Sequence, residues 1–336
     1  MAGFREIIGQ EKIVEHFRNA IRYDKISHAY ILNGEQGMGK KMIAEAFAMT
    51  VQCENGADEP CMSCHSCKQA MSGNNPDIRW VKHEKPATIS VEDIRMQVNN
   101  DIVIKPYEYK RKIYIIDEAE KMTAASQNAL LKTIEEPPAY AVIFLLTSNQ
   151  EMFLQTILSR CVVMDLAPVR ADKIEEYLKQ RERIVDYRAR EAAAFAGGNI
   201  GKAKEMCASD EFLGFKEEVL RMAKNTCYMN VADMAAYVKE MAKQYKENIG
   251  NYLNLLELWY RDVLIYKVSQ NYKELLFQKE EKVIQEQAEK LKYEGIEKIL
   301  ESIDKVRFQI KSNVNFELAL EMMFINIRDS FAYGGR

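Results

Sequence analysis

Ile113-Tyr114-Ile115-Ile116-Asp117-Glu118-Ala119-Glu120 is the stretch on which the fold turns. Four apolar residues, three of them β-branched, suit a strand buried on both faces of a parallel sheet. The run then ends in two adjacent carboxylates. An unpaired buried carboxylate is costly, so acids at the carboxyl end of such a strand generally face a ligand crevice. In a nucleoside triphosphatase, Asp117 would hold the Mg²⁺ shell and Glu118 would polarise an attacking water. The plainer alternative is a strand that ends in a charged turn, and the rest of the chain has to decide between them.

With 336 residues the chain is too long for one ordinary core, and two or three domains are expected. A content of 47% hydrophobic and 29% charged residues is that of a globular protein. The net charge of -3 supplies no overall attraction to nucleic acid, so any such contact must come from a local patch or from partner subunits. The amino terminus lacks the apolar segment of a signal peptide, no run is long enough to span a bilayer, and a cytoplasmic protein is expected. Seven cysteines in such a chain argue against a disulfide framework.

Upstream of the deciding strand, residues 5–24 read as an apolar arm followed by an amphipathic helix carrying Ile13, Phe17, Ala20 and Ile21. Ser27 to Asn33 reads as a short strand that runs into Gly34-Glu35-Gln36-Gly37-Met38-Gly39-Lys40-Lys41, with a helix from Met42 to Val51. Strand, glycine-rich loop and helix together make a phosphate cradle. Gly34, Gly37 and Gly39 let backbone N–H groups converge on a phosphate chain, and Lys40 would reach the β and γ phosphates. The pattern breaks at its last position, where a Ser or Thr hydroxyl should sit on Mg²⁺ and this chain has Lys41. An ammonium cannot ligate a cation. The loop is then either a retained structural turn or a weak nucleotide site, and productive hydrolysis is not expected.

Cys53, Cys61, Cys64 and Cys67 follow as C-x7-C-x2-C-x2-C. Four thiolates so close in sequence suit a tetrahedral Zn²⁺ with no open position, hence a structural site. The metal would hold a short insertion that has little core of its own. His65 is read as a solvated neighbour, and Cys161, Cys207 and Cys227 as isolated small core residues. Asp77 to Val81 looks like another strand. Ser90 and Asp93 form a capping box at the start of a helix. Lys105 to Lys112 reads as a solvated basic connection. Beyond the acidic pair, a helix from Met122 to Glu136 is stopped by Pro137-Pro138, and strands are expected at Val142 to Leu146 and Val162 to Met164. Residues 1–166 thus read as an α/β nucleotide-fold domain with a cysteine insertion at about 53–67.

After Pro168 the strand pattern vanishes. Residues 167–208 read as a small helical piece and 209–336 as all-helical, with helices at Phe212–Met222, Val231–Tyr245, Tyr252–Val268, Leu275–Leu291, Ile296–Ile310 and Phe316–Phe331. Tyr252, Trp259, Tyr260 and Tyr266 are expected in the core or at subunit contacts rather than stacked on bases.

Ser27-His28-Ala29-Tyr30, the glycine loop, the cysteine insertion, Asp117-Glu118-Ala119-Glu120, Asn128-Ala129-Leu130-Leu131-Lys132, Glu135-Glu136-Pro137-Pro138 and Ser159-Arg160-Cys161 occur in one order. Together they resemble the clamp-loader branch of the AAA+ family, the subunits that load the sliding clamp of bacterial DNA polymerase III. The resemblance implies an AAA+ domain, a helical lid and a carboxyl-terminal collar domain that holds a five-subunit ring. It implies gamma/tau and delta subunits as partners, with the sliding clamp and primed DNA met through the complex, as part of the polymerase holoenzyme. The family's ATPase subunits carry Thr after the loop lysine and an Arg in the lid that senses the γ-phosphate. The matching lid run here is Gly198-Asn199-Ile200-Gly201-Lys202-Ala203, with Gly201 at the Arg position and Lys202 about 100° away around the helix. In that family the Arg of Ser-Arg-Cys points into the neighbouring subunit's nucleotide, so the resemblance makes Arg160 an arginine finger in trans. It leaves Asp117 and Glu118 as relics or weak contributors. The ATPase subunits usually continue beyond the collar, whereas this sequence ends at Arg336. The competing expectation is an autonomous ATP-hydrolysing motor built on Lys40, Asp117 and Glu118. A zinc-dependent DNA-binding module is weaker, because no ordered basic and aromatic surroundings accompany the cysteines.

Overall fold

Apolar residues that alternate in side-chain direction along three adjacent strands build two cores, one on each face of a single parallel sheet. The computed structural model describes residues 3–56, 58–83, 85–246, 248–311 and 314–332. Its strands are β1 (Ala29–Asn33), β2 (Ile78–Val81), β3 (Lys112–Ile116), β4 (Ala141–Thr147) and β5 (Val162–Asp165), in the spatial order β2-β3-β4-β1-β5. All four pairings are parallel. Ile113, Ile115, Val142, Phe144, Tyr30 and Leu32 face one core, closed by Phe17 of the helix Glu11–Arg22 and Phe47 of the helix Lys40–Gln52. Tyr114, Ile116, Ile143, Leu145 and Ile31 face the other, covered by Ile94, Val98, Leu130, Ile134 and Ile157. Burial on both faces is the reason these strands read as continuous apolar runs. The expected α/β arrangement is therefore observed.

The chain separates into two compact units, Met1–Tyr177 with Gly197–Lys202, and Leu178–Ala196 with Ala203–Arg336. Described strands occur in the first unit alone. The second is helical: Asp210–Asn225, Val231–Gln244, Ile249–Ser269, Glu281–Lys290, Tyr293–Lys311 and Phe316–Ala332. Its centre is the helix Ile249–Ser269, whose Tyr252, Leu256, Trp259, Tyr260 and Val263 are fully buried. Trp259 Nε1 donates to Gln287 Oε1 at 2.8 Å, and Gln287 Nε2 donates to the Ala223 carbonyl at 2.9 Å, so the indole's polar edge is satisfied inside the core. Tyr252, Trp259 and Tyr260 are thus core residues, as expected, while Tyr266 is half-buried.

Three expectations need correction. The helix expected from Leu275 begins at Glu281 instead. The buried Asp262 carboxylate accepts from Leu276 N and Phe277 N at 2.7 and 2.8 Å, and that holds Leu275 to Phe277 in a bend from which Leu275 and Phe277 enter the core. Lys112 is not a solvated residue. Its side chain is fully buried and pairs with Asp101 at 2.8 Å, and the Tyr114 hydroxyl donates to that same carboxylate at 2.8 Å. The carboxylate of Asp77 also accepts the N–H groups of Tyr107, Glu108 and Tyr109, which pins the connection before β3. Finally, Cys207 and Cys227 are half-buried rather than enclosed, while Cys161, also half-buried, packs against the second of the two sheet cores as expected. The Ser90–Asp93 capping box is present as expected, but the helix it starts continues as a π-helical turn at Arg95–Asn99.

Candidate functional site

The carboxyl ends of β1, β3 and β4 meet at one edge of the sheet. Asn33 is level with Thr147, and Gly34 N donates to the Thr147 carbonyl at 3.1 Å, so the glycine loop leaves β1 beside the end of β4. Asp117 leaves β3 at the same edge. This is where ligands bind in open α/β sheets. Gly37 and Gly39 have φ of +89° and +96°, a region that side chains other than glycine rarely adopt, and Gly39 caps the helix Lys40–Gln52.

Lys40 is turned onto the loop's own carbonyls, whereas Lys41 stays largely exposed. Lys40 Nζ donates to the carbonyls of Gly34 and, at 2.9 Å, Glu35. Burial lowers its pKa, opposed by the nearby Glu120 and Asp117 carboxylates. Lys41 Nζ lies 2.6 Å from Asp117 Oδ2. An ammonium thus stands against the carboxylate that would organise a divalent cation, at the position from which a Ser or Thr hydroxyl would ligate it. Glu118 adopts φ +48°, strained for a glutamate, and its carboxylate pairs with Lys121 at 2.7 Å, with His83 Nε2 at 3.8 Å. The Ser148 hydroxyl donates to Glu120 at 2.5 Å. Burial pushes the Glu120 pKa up, but the hydrogen bonds led by Ser148 more than offset it, and the net shift is downward.

The run Asn199–Lys202 lies directly on the glycine loop. Asn199 Nδ2 donates to the Gln36 carbonyl at 2.7 Å and Gly201 N to the Gly37 carbonyl at 3.0 Å. A Cβ added at Gly201 would stand 2.6 Å from Gly37 Cα and 2.7 Å from its carbonyl oxygen. No side chain fits at position 201 without moving backbone, so this contact and a γ-phosphate-sensing arginine exclude each other. Lys202 N donates to Asn199 Oδ1 at 3.1 Å. No pattern in the sequence pointed to the pairing of Gly37 with Gly201, because it joins a loop to the first turn of the helix Ile200–Ala208, 164 positions away.

Arg160 follows the short helix Gln155–Leu158, away from these groups in sequence but in the same unit. Its Nη1 donates to the Thr156 carbonyl at 3.1 Å and to Ser159 Oγ at 3.2 Å, and its Nη2 lies 3.0 Å from Glu135 Oε1. Both side chains of the ion pair are partly exposed. Sequence reading gave Glu135 only the role of ending a helix.

The four cysteines converge. Their Sγ atoms all lie within 4.8 Å of one another, a span that one metal ion can bridge. Cys61 N donates to Cys53 Sγ, Cys64 N to Cys61 Sγ and Cys67 N to Cys64 Sγ, at 3.4, 3.3 and 3.4 Å. Backbone donors of this kind stabilise thiolates and orient them. The Ser63 hydroxyl brings the Cys61 pKa down to about 5, while burial pushes Cys53 and Cys67 up. Thiols that are partly buried yet offered N–H donors fit a cation at their centre, and an all-sulfur set favours Zn²⁺ among common divalent ions. His65 does not join them; its Nε2 lies 2.8 Å from Gln69 Nε2 and 3.7 Å from Glu108.

Comparison with known proteins adds an independent line. The family model described as "DNA polymerase III, delta subunit" matches residues 9–170, and "DNA polymerase III, delta subunit, C terminal" matches residues 226–329. The DNA polymerase III subunit delta' of Bacillus subtilis is 30% identical over 328 residues, covering 95% of this chain and 96% of that protein. The tau subunit of the same organism is 26% identical, covering 96% of this chain and 61% of that longer protein. Among solved structures, a DNA polymerase III gamma subunit-related protein of Thermotoga maritima aligns over 95% of this chain and 99% of its own, at 18% identity and a TM-score of 0.44.

Proposed function

This chain belongs to the DNA polymerase III clamp-loader subunit family, and from that membership we propose that it is the delta-prime-type subunit, a part of the ring that assists hydrolysis without performing it. The observation that carries this reading is the ion pair between Lys41 and Asp117. A P-loop ATPase needs a divalent cation between its acid and the phosphates. Here the acid is neutralised by a tethered ammonium, and like charge repels a second cation from the same place.

The contact of Asn199 and Gly201 with Gln36 and Gly37 supports the same conclusion. A loop whose carbonyls are already bonded to the lid run has to break those bonds before it can rearrange around a triphosphate. Arg160 supplies the positive half of the reading. A guanidinium fixed at a subunit surface can offer N–H donors to a neighbour's γ-phosphate as charge develops there, a contribution much larger at a desolvated site than in water. The neighbour would be a gamma/tau-type ATPase subunit, in a pentameric ring that also holds delta and acts on the sliding clamp and primed DNA. Residues 209–336 would serve as the collar of that ring and 167–208 as the lid. Cys53, Cys61, Cys64 and Cys67 would hold Zn²⁺, which supplies a cross-link and no chemistry.

Titration of the isolated chain with Mg-ATP, followed by fluorescence of a nucleotide analogue, should show no saturable binding and no hydrolysis. In the complex assembled with its ATPase subunits, Arg160→Ala should cut turnover by at least about 10-fold while assembly, judged by gel filtration, is unchanged. Turnover by the isolated chain that depends on Glu118 would instead make it a motor of the gamma/tau kind.

A further inference from the structure

We propose that Glu135 is a positioning residue for Arg160: its carboxylate orders the guanidinium before a neighbouring subunit's nucleotide arrives. The inference rests on the reading of Arg160 as a finger and adds a residue to it. A free arginine side chain carries a large rotamer entropy, which must be lost when it docks on a phosphate. In this structure much of that loss is already met. Nη1 is held twice, by the Thr156 carbonyl at 3.1 Å and Ser159 Oγ at 3.2 Å, and Nη2 is held by Glu135 Oε1 at 3.0 Å. Two of these acceptors come from the arginine's own turn. Glu135 is the one that reaches it from another element, the end of the helix Ala124–Glu135, which Pro137 and Pro138 stop directly afterwards. The proline stop fixes where the last helical residue stands, and so fixes where the carboxylate stands.

The pair is open to solvent on both sides, with side-chain exposures of 39% and 45%. An exposed ion pair is weak, so it can orient the side chain and still release one edge of it to a triphosphate of higher charge. A guanidinium has five N–H donors, and a single carboxylate on Nη2 leaves others for the phosphate.

Two measurements test the proposal. In the assembled complex, Glu135→Ala should lower kcat for ATP about three- to tenfold with KM little changed, because the lost order is felt where the finger acts. Glu135→Gln, which keeps an acceptor oxygen in place, should recover part of that loss. In an Arg160→Ala background the same Glu135→Ala change should have no further effect, since it works only through the guanidinium. Additive losses would make Glu135 merely structural and overturn the inference. If Arg160→Ala lowers turnover but Glu135→Ala does not, the positioning role falls and the finger stands; if Arg160→Ala has no effect, the finger reading itself falls. In the isolated chain, NMR relaxation of the Arg160 Nε–H should report a more mobile side chain in Glu135→Ala. Unchanged relaxation would also overturn the proposal.

Discussion

Lysine 41 differs from a metal-ligating threonine in one respect that decides the chemistry: it brings its own cation to the carboxylate of Asp117. Lys41→Thr frees that carboxylate and restores a hydroxyl. Asn199 and Gly201 nevertheless still bond to Gln36 and Gly37, and Lys40 to Gly34 and Glu35. The single substitution should therefore leave Mg-ATP affinity weaker than about 1 mM in a fluorescent-analogue titration. Tight binding by the variant would show that the ammonium alone blocks the site. Gly201 makes the complementary case. A methyl group there meets the backbone of Gly37, which cannot swing aside as a side-chain tip can. Gly201→Ala should destabilise the sheet-containing unit by about 1–3 kcal/mol, read as a lower urea midpoint at unchanged slope. An unshifted midpoint would mean that the run Asn199–Lys202 lifts off the glycine loop at little free-energy cost.

Elements that announce themselves in sequence are those set by their own periodicity. β1, β3 and β4 are legible because burial on both faces leaves uninterrupted β-branched and aromatic runs, and the helix Ala124–Glu135 is legible because prolines end it. What local pattern misses is set by a distant side chain. Asp262 fixes the bend at Leu275 to Phe277, Asp77 gathers the N–H groups of residues 107–109, and Lys112 is buried because Asp101 and two tyrosine rings receive it. The candidate site divides in the same way. Its motifs could be read as motifs, whereas the partners of Lys41, Gly201 and Arg160 required coordinates. The cysteine insertion is intermediate, with spacing that points to four candidate ligands but not to the tethers. Glu59 and Asp58 of that insertion pair with Arg18 and Arg22 of the first helix. These partly exposed ion pairs are weak compared with a structural metal, which contributes on the order of 10 kcal/mol to a small domain. Removing the metal with a strong chelator should release one equivalent of Zn²⁺ per chain. Hydrogen exchange should then rise across residues 53–71 while β1, β3 and β4 stay protected. Loss of protection throughout the sheet would mean that the insertion is part of the main core.

At the scale of the whole molecule, two units with separate cores imply separate sources of stability, and the helical one carries a titratable group within its core. Asp262 is fully buried; one carboxylate oxygen accepts two N–H groups and the other, Oδ1, has no hydrogen-bond partner among the described residues. Burial pushes its pKa up to about 6 from an ordinary 3.8, with the two backbone donors pulling the other way. The folded chain therefore holds this proton to higher pH than the unfolded chain does. The stabilisation is fully present below about pH 4 and is lost as pH rises through about 6, amounting to roughly 3 kcal/mol across that window. Asp262→Asn keeps an oxygen for Leu276 and Phe277 and removes the charge. Its stability relative to the parent, from guanidinium unfolding at pH 5 and pH 7.5, should improve at the higher pH. Because other carboxylates titrate in both proteins, the difference between the two curves is the quantity to read. A difference that does not change with pH would show that the two N–H donors alone suffice to keep Asp262 ionised in the core.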